Sequence, residues 1–306
     1  MLTTAKRFLA HVLDMRHRLG WTSAIKLAGT FALKQSCEVP ICVRINGVSA
    51  PIWLRPNGSD IDTFIQVFAQ GQYDFSRFPQ SHQLLSSYQA MVSSGEVPLI
   101  VNCGANIGLS AIWFANRFPR AKIVAIEPAQ DNLDMMRKNL APYQNTEIVA
   151  GGVWDEPAEL SILNQSVEPW AYQVTRADSA AFADTGRAGH TFKSYTISSI
   201  AGRQPILIIK IDIEGSEDAL FRFNTDWLNR THLLIIELHD EKLPGKKSSR
   251  NFFCCVAQQD FEFGMNGENA FSLSLNRRAY SGAILLCPPW RSSFTARSSQ
   301  ISRNHS

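Results

Sequence analysis

The run Pro205 to Gly215 (PILIIKIDIEG) constrains the fold more than any other stretch of this chain. It is far too short to cross a membrane. It also lacks the alternation of a half-solvated strand, so it reads as a central strand covered on both faces. Such a strand needs parallel neighbours and helices above and below. From Pro98 onward the chain supplies them. LIVNCG reads as a first strand followed by a helix from Leu109 to about Arg117, KIVAIEP as a second with a helix from about Asp131 to Leu140, and TEIVAGGVW as a third. HLLIIELHD follows the central run as a further buried strand. Short apolar runs alternating with helical stretches mark βαβ units and a parallel sheet. Between 251 and 290 a helix, the FEF strand and the run AILLC are expected, the last two closing the sheet as an antiparallel hairpin.

Ahead of this lies a front part, 1–90, of a different kind. Met1 to about Leu33 carries Phe8, Leu9, Val12, Leu13, Ile25 and Leu27 at helical spacing, which predicts an amphipathic helix or two packed on the main body. ICVRINGVSAPIWLRP places two β-rich runs around Asn46 and Gly47, a two-residue hairpin signal. The main domain is expected over 91–290, with a polar insert between Ala158 and about Thr191 that contains Trp170 and Tyr172 and reads as a lid or short hairpin. The tail 291–306 has the composition of a disordered segment.

The formal net charge is only +3 with scattered Lys and Arg, so nucleic acid is not an expected partner. The six cysteines form no CxxC pairs and have no finger-like histidines, which fits a reduced, cytoplasmic location without a zinc site. No apolar stretch approaches the length of a membrane span, and no stable membrane insertion is expected.

VNCGANIG follows a strand and opens a helix, so Gly104 and Gly108 stand where the chain must turn tightly and let a ligand approach its backbone. The dinucleotide fingerprint GxGxxG is absent, because Asn106 occupies the place of its middle glycine. This speaks against a nicotinamide oxidoreductase. S-adenosylmethionine carries no phosphate and presents a carboxylate, an amine and ribose hydroxyls, which backbone N–H groups and Asn106 can satisfy. Glu127, at the end of the next strand, stands where an acidic side chain can accept the ribose hydroxyls.

VNCGANIG, IEP with Asn132 after it, YTISSI and IKIDIEGSE, in this order, resemble the FkbM family of methyltransferases over about Arg55 to Leu238. The resemblance implies an α/β, Rossmann-like class I methyltransferase fold: a seven-stranded, mostly parallel sheet with one antiparallel strand and helices on both faces, here with the N-terminal helix and hairpin added. It implies S-adenosyl-L-methionine as cofactor and transfer of its methyl group to an oxygen. The acceptor expected is a hydroxyl of a glycan, sugar or small secondary metabolite. Gly104, Asn106 and Gly108 match the cofactor turn, Glu127 the ribose-binding acid, and Asp212 and Glu214 the acidic pair after the fourth strand. Val153 and Trp154, after Gly152, fall where the resemblance places the adenine, and Trp154 either stacks on the base or belongs to the core. Asn102 departs from the family, which usually has an acid there to hold the methionine amine. A non-catalytic cofactor-binding or interaction module on the same fold is the alternative that this departure suggests.

Methyl transfer from a sulfonium is an in-line displacement, so the protein must align the acceptor and remove its proton. Lys210, Asp212 and Glu214 alternate along the strand and its exit, and three charges in so apolar a run are costly unless paired or open to a site. Glu237 and His239 end the next strand, where the imidazole serves either as a base near neutral pH or as a structural group. With Asp240 these residues hold the ligand types for a metal, but none is expected.

Overall fold

The computed structural model describes residues 39–56, 58–162, 174–178, 191–242 and 244–274, with isolated positions at 20, 21, 24, 25 and 29. Most of the N-terminal helical stretch, Trp170 and Tyr172 of the insert, the run AILLC and the tail lie outside the described residues.

The chain opens with strands β1 (Ile41–Val43) and β2 (Ile52–Leu54), paired antiparallel with Val43 opposite Ile52. The hairpin is therefore present, but its loop runs from 44 to 51 rather than through two residues. Asn46 and Gly47 make a turn inside that loop, closed by Val48 N–H donating to Ile45 O. The loop is tied down elsewhere, since Ser49 N–H donates to Asn116 Oδ1. Helix α1 (Asp60–Phe64) follows and widens into a π-helical turn, Ile65–Gln70, that Gly71 ends in the left-handed region. Helix α2 spans Ser81–Ser93.

The main sheet then begins: β3 (Leu99–Cys103), α3 (Leu109–Arg117), β4 (Lys122–Glu127), α4 (Gln130–Leu140) and β5 (Thr146–Ala150). Asp131 in the first turn of α4 and Arg137 and Lys138 in its last complement the helix dipole. A small second sheet, in the order β6-β9-β7-β8, consists of β6 (Gly152–Val153), β7 (Glu159–Ile162), β8 (Val174–Arg176) and β9 (Thr191–Tyr195). Helix α5 (Ile197–Ala201) leads back to β10 (Ile206–Ile211), α6 (Glu217–Leu220), β11 (Thr231–Glu237), α7 (Arg250–Val256), β12 (Phe261–Asn266) and β13 (Asn269–Ser274).

The seven strands lie in the order β12-β13-β11-β10-β3-β4-β5, and β13 alone runs against the rest. The α/β fold, the strand number and the one antiparallel strand are as expected. In the closing hairpin the FEF strand pairs with Asn269–Ser274, and the expected partner AILLC lies outside the described residues. Gly267, with φ 61°, begins a two-residue loop that joins FEFGMN directly to NAFSLS.

Every residue of β10 is buried, and its side chains feed two separate cores. Ile208 packs with α3, α4 and the front part, and Ile209 and Ile211 with α5, α6 and α7. Each such isoleucine contributes about 1.5–3 kcal/mol by burial. Ile41, Ile52, Leu54 and Phe64 share the first of these cores, and the rings of Tyr73 and Phe75 pack on Trp113, Phe114 and Phe118. No helix among the described residues is long and apolar enough to cross a membrane.

Candidate functional site

The chain runs outward from β3 through β4 to β5, then returns to β10 on the other side of β3. A crevice opens where strand order reverses in this way, at the carboxyl ends of the strands. Here it is a cavity of about 790 Å³. Asn106, Glu127 and Val153 line the end beyond β4, Lys210, Asp212, Glu214 and Glu237 the end at β10 and β11, and Gly104 the middle, where β3 exits. The front part closes it with Ser59, Asp62, Gln66 and Tyr73.

The glycine turn is set by close approach of two backbones. At Gly104, with φ 74°, a Cβ would stand 1.8 Å from the carbonyl oxygen of Asp212. Only glycine fits there. Gly104 and Ala105 both donate their N–H to Ile126 O, and Asn106 takes φ 50°. Asn106 N–H donates to Glu127 Oε2 at 3.0 Å, whereas its side-chain Oδ1 is buried without a partner. Gly108, at φ 89°, caps α3 and packs against Met136 and Leu140 rather than lining the cavity.

Glu127 is 6% exposed. Its Oε1 accepts from Ala129 N–H and Asn132 Nδ2, both at 3.1 Å. Burial raises its pKa above the ordinary carboxylate value, against the pull of these bonds. Behind it, Arg55 donates to Asn132 Oδ1 at 2.8 Å and holds the buried Asp60 through a bidentate pair.

At the other end Lys210 Nζ, almost fully buried, donates to Gly104 O at 2.7 Å and Asp212 Oδ2 at 3.2 Å. Burial opposes its charge, but Asp212 together with Tyr73 and Glu237 outweighs it and the pKa rises. Asp212 gains in return: burial pushes its pKa up, and the charges of Lys210, His239 and Lys242 together more than reverse this, leaving it lowered. Burial and the neighbouring Asp212 charge push Glu214 up to about 7. His239 is fully buried, with Nδ1 2.8 Å from Glu217 Oε1. Burial disfavours its charge, yet the carboxylates of Glu217 and Glu237 push its pKa up to about 11. An imidazolium held that firmly is no base at neutral pH.

The expected residues thus converge only in part. Gly104, Asn106, Glu127, Val153, Lys210, Asp212 and Glu214 line one cavity, and His239 stands directly behind the last two. Trp154 packs with Leu160 and Ala219 and does not line the cavity, which answers the open choice in favour of the core. Asn102 is buried in β3 with Nδ2 donating to Ser110 Oγ at 2.8 Å, and its Oδ1 has no partner. The front segment from Ser59 to Tyr73 shapes the pocket, but the basic stretch Lys246 to Arg250 does not line it. Lys242 does instead, with Nζ 2.9 Å from Glu214 Oε2. Sequence reasoning missed Glu217, Lys242, Arg55 and Asp60. Only Glu217 carried a signal, three positions past Glu214 where the first turn of a helix brings it back to the strand ends.

The profile of the family described as "Methyltransferase FkbM domain" matches residues 102–263. Methyltransferase sdnD of Sordaria araneosa is 33% identical over 76 residues, a match covering 25% of this chain and 23% of that protein, so the chain spans about a quarter of this relative's length. Among solved structures, a methyltransferase from Geobacter sulfurreducens is 17% identical with a TM-score of 0.30, covering 70% of this chain and 89% of the other. An rRNA methylase from Streptococcus thermophilus is 11% identical with a TM-score of 0.35, covering 64% and 95%. On the profile match, which takes in the glycine turn, Glu127, the central strand and β11, the chain belongs to the FkbM methyltransferase domain family.

Proposed function

We propose that this protein transfers a methyl group from S-adenosylmethionine to a hydroxyl of a small-molecule or glycan acceptor. The observation that carries this is Glu127, a buried carboxylate that faces the cavity across from the Gly104–Asn106 turn. A ribose diol suits it, since Oε2 carries one hydrogen bond and has a lone pair to spare. The buried, unpartnered Oδ1 of Asn106 suits the methionine amine. Val153 offers an apolar edge to the adenine.

The cofactor supplies a methyl group on a sulfonium, already a good leaving group. The chain's own part is to align the acceptor oxygen and take its proton. Asp212, Glu214 and Glu237 converge at the end of the cavity away from Glu127 and accept that proton as a group, while Lys210 and His239 stay charged. As the oxygen–carbon bond forms, the sulfur–carbon bond breaks and a neutral thioether leaves. Tyr73, buried beside Lys210 with its pKa raised to about 12 by burial, offers an aromatic wall to a sugar face. The same setting is a reduced, cytoplasmic one, without nucleic acid as a partner.

Calorimetric titration of the purified chain with S-adenosylhomocysteine tests the cofactor, and labelled methyl transfer to a panel of nucleotide sugars, glycan precursors and polyketides tests the acceptor. No heat of binding overturns the reading. Binding without transfer to any acceptor in a lysate favours the non-catalytic module, for which the buried Asn102 in place of the family's acid is the specific observation.

A further inference from the structure

The reactive end of the cavity is more acidic than a binding site for a neutral hydroxyl requires. Four carboxylates, of Asp212, Glu214, Glu217 and Glu237, surround one buried imidazole. His239 Nδ1 is engaged by Glu217 Oε1 at 2.8 Å, and Glu217 is itself fully buried. A carboxylate at Nδ1 orients a metal-ligating histidine in this way, and an ion at Nε2 would take the place of the proton that the ring carries there without one. Nε2 points into the remaining carboxylates and makes no hydrogen bond. It lies 3.4 Å from Glu237 Oε1, 3.5 Å from Glu214 Oε2 and 3.8 Å from Asp212 Oδ1. Ligands on an ion with bonds of about 2.1 Å stand about 3.0 Å apart at right angles and about 3.4 Å apart at tetrahedral angles. The contacts of Nε2 with Glu237 and Glu214 match the tetrahedral spacing, and that with Asp212 is a few tenths of an ångström wider.

We propose that Asp212, Glu214 and His239 form a site for a divalent cation whose open positions face the cavity and take an acceptor oxygen. The ligand atoms of these three residues lie within 4.8 Å of one another. Lys210 holds the other oxygen of Asp212, Oδ2, and so leaves Oδ1 for the ion. A mixed imidazole and carboxylate set suits manganese, iron or zinc better than calcium. A hydroxyl bound to such an ion sheds its proton more readily, which is what oxygen methylation needs. The sequence alone led to the opposite expectation, because it did not show the unpartnered Nε2. The assignment of the acceptor oxygen rests on the methyltransferase reading, whereas the cation site itself does not.

Manganese titrated into the full chain after EDTA treatment, followed by loss of the free-ion electron paramagnetic resonance signal, tests the site. One Mn²⁺ per chain is expected. Binding should weaken by about 10–100-fold in Glu217→Gln, which removes only the charge behind the ring, and at least as much in Glu214→Gln. S-adenosylhomocysteine binding measured in EDTA serves as control, for it reports both the folded state of each variant and the cofactor reading without the ion. No Mn²⁺ uptake by a chain that binds the thioether overturns the cation site and leaves the methyltransferase reading standing. Undiminished uptake in both variants overturns it equally. Mn²⁺ uptake by a chain that does not bind the thioether supports the cation site and removes its role toward the acceptor.

Discussion

Arg55 and Asn132, 77 residues apart, are joined by a 2.8 Å hydrogen bond that links the front hairpin to the proposed ribose acid. Asn132 donates onward to Glu127 Oε1, and Arg55 is itself held by the buried Asp60. Arg55→Met should cost about 2–3 kcal/mol of stability, the lower part of the range for a broken buried pair, because Arg55 N–H still donates to Asp60 Oδ2. Cofactor affinity should fall about three- to tenfold, and combining Arg55→Met with Asn132→Ala should give less than the sum of the two losses. Calorimetry on the four proteins checks this; strict additivity would show that the two residues do not act on Glu127 in series.

The two glycines of the turn differ in what surrounds them. Gly104→Ala drives a Cβ onto a backbone carbonyl at 1.8 Å, which no side-chain movement relieves. Gly108→Ala meets only side-chain atoms of Met136 and Leu140, at 3.1 and 3.2 Å. The second change should therefore cost little beyond about 1–2 kcal/mol for a left-handed alanine. The first should leave too little folded protein to measure, or separate Asp212 from Lys210. Expression yield and thermal unfolding distinguish the two, and similar midpoints for both variants would contradict the close crossing.

Glu127 must be ionised to accept a ribose hydroxyl on Oε2 while keeping its three protein donors, and burial raises its pKa above the ordinary value. The sign follows directly. Affinity for the thioether should be flat above that raised pKa and fall as pH drops through it, while binding by Glu127→Gln should be weaker by about 10–100-fold at neutral pH and show no such fall. The glutamine amide also sets its own donors against the N–H groups of Asn106 and Ala129. A titration of affinity against pH for both proteins is the check, and parallel curves would exclude Glu127 as the titrating group.

Much of this site was legible because it lies along the strands. LIVNCG, KIVAIE and ILIIKI carry their burial in their composition, and the turn between Gly104 and Gly108 follows from the residues that a tight backbone crossing allows. What stayed hidden depends on contacts between distant segments. Nothing local tells that Arg55 reaches Asn132, that Lys242 rather than Lys246 to Arg250 meets Glu214, or that Trp154 turns into the core with Leu160. The Asn46–Gly47 signal misled for a related reason: it describes a turn accurately, but the strand register is set farther out, where Val43 meets Ile52. His239 was read as a lone histidine, and only the fold shows the carboxylates around it.

Lys210 is the residue on which both halves of the site depend. Its ammonium holds the carbonyl of Gly104, and so the cofactor turn, while it neutralises Asp212 at the reactive end. Lys210→Met fills the same space but removes the ammonium that donates to Asp212 Oδ2. The result is a half-buried carboxylate without its nearest cation, which should destabilise the fold by about 1–3 kcal/mol. If lost charge pairing is the cause, Asp212→Asn in the Lys210→Met background should restore part of that loss, since the amide needs no counter-charge. Thioether affinity should remain reduced in both, because neither variant restores the bond to Gly104 O. Denaturant unfolding of the single and double variants measures the first effect and calorimetry the second. A double variant no more stable than Lys210→Met would mean that Lys210 acts chiefly through the turn and not through Asp212.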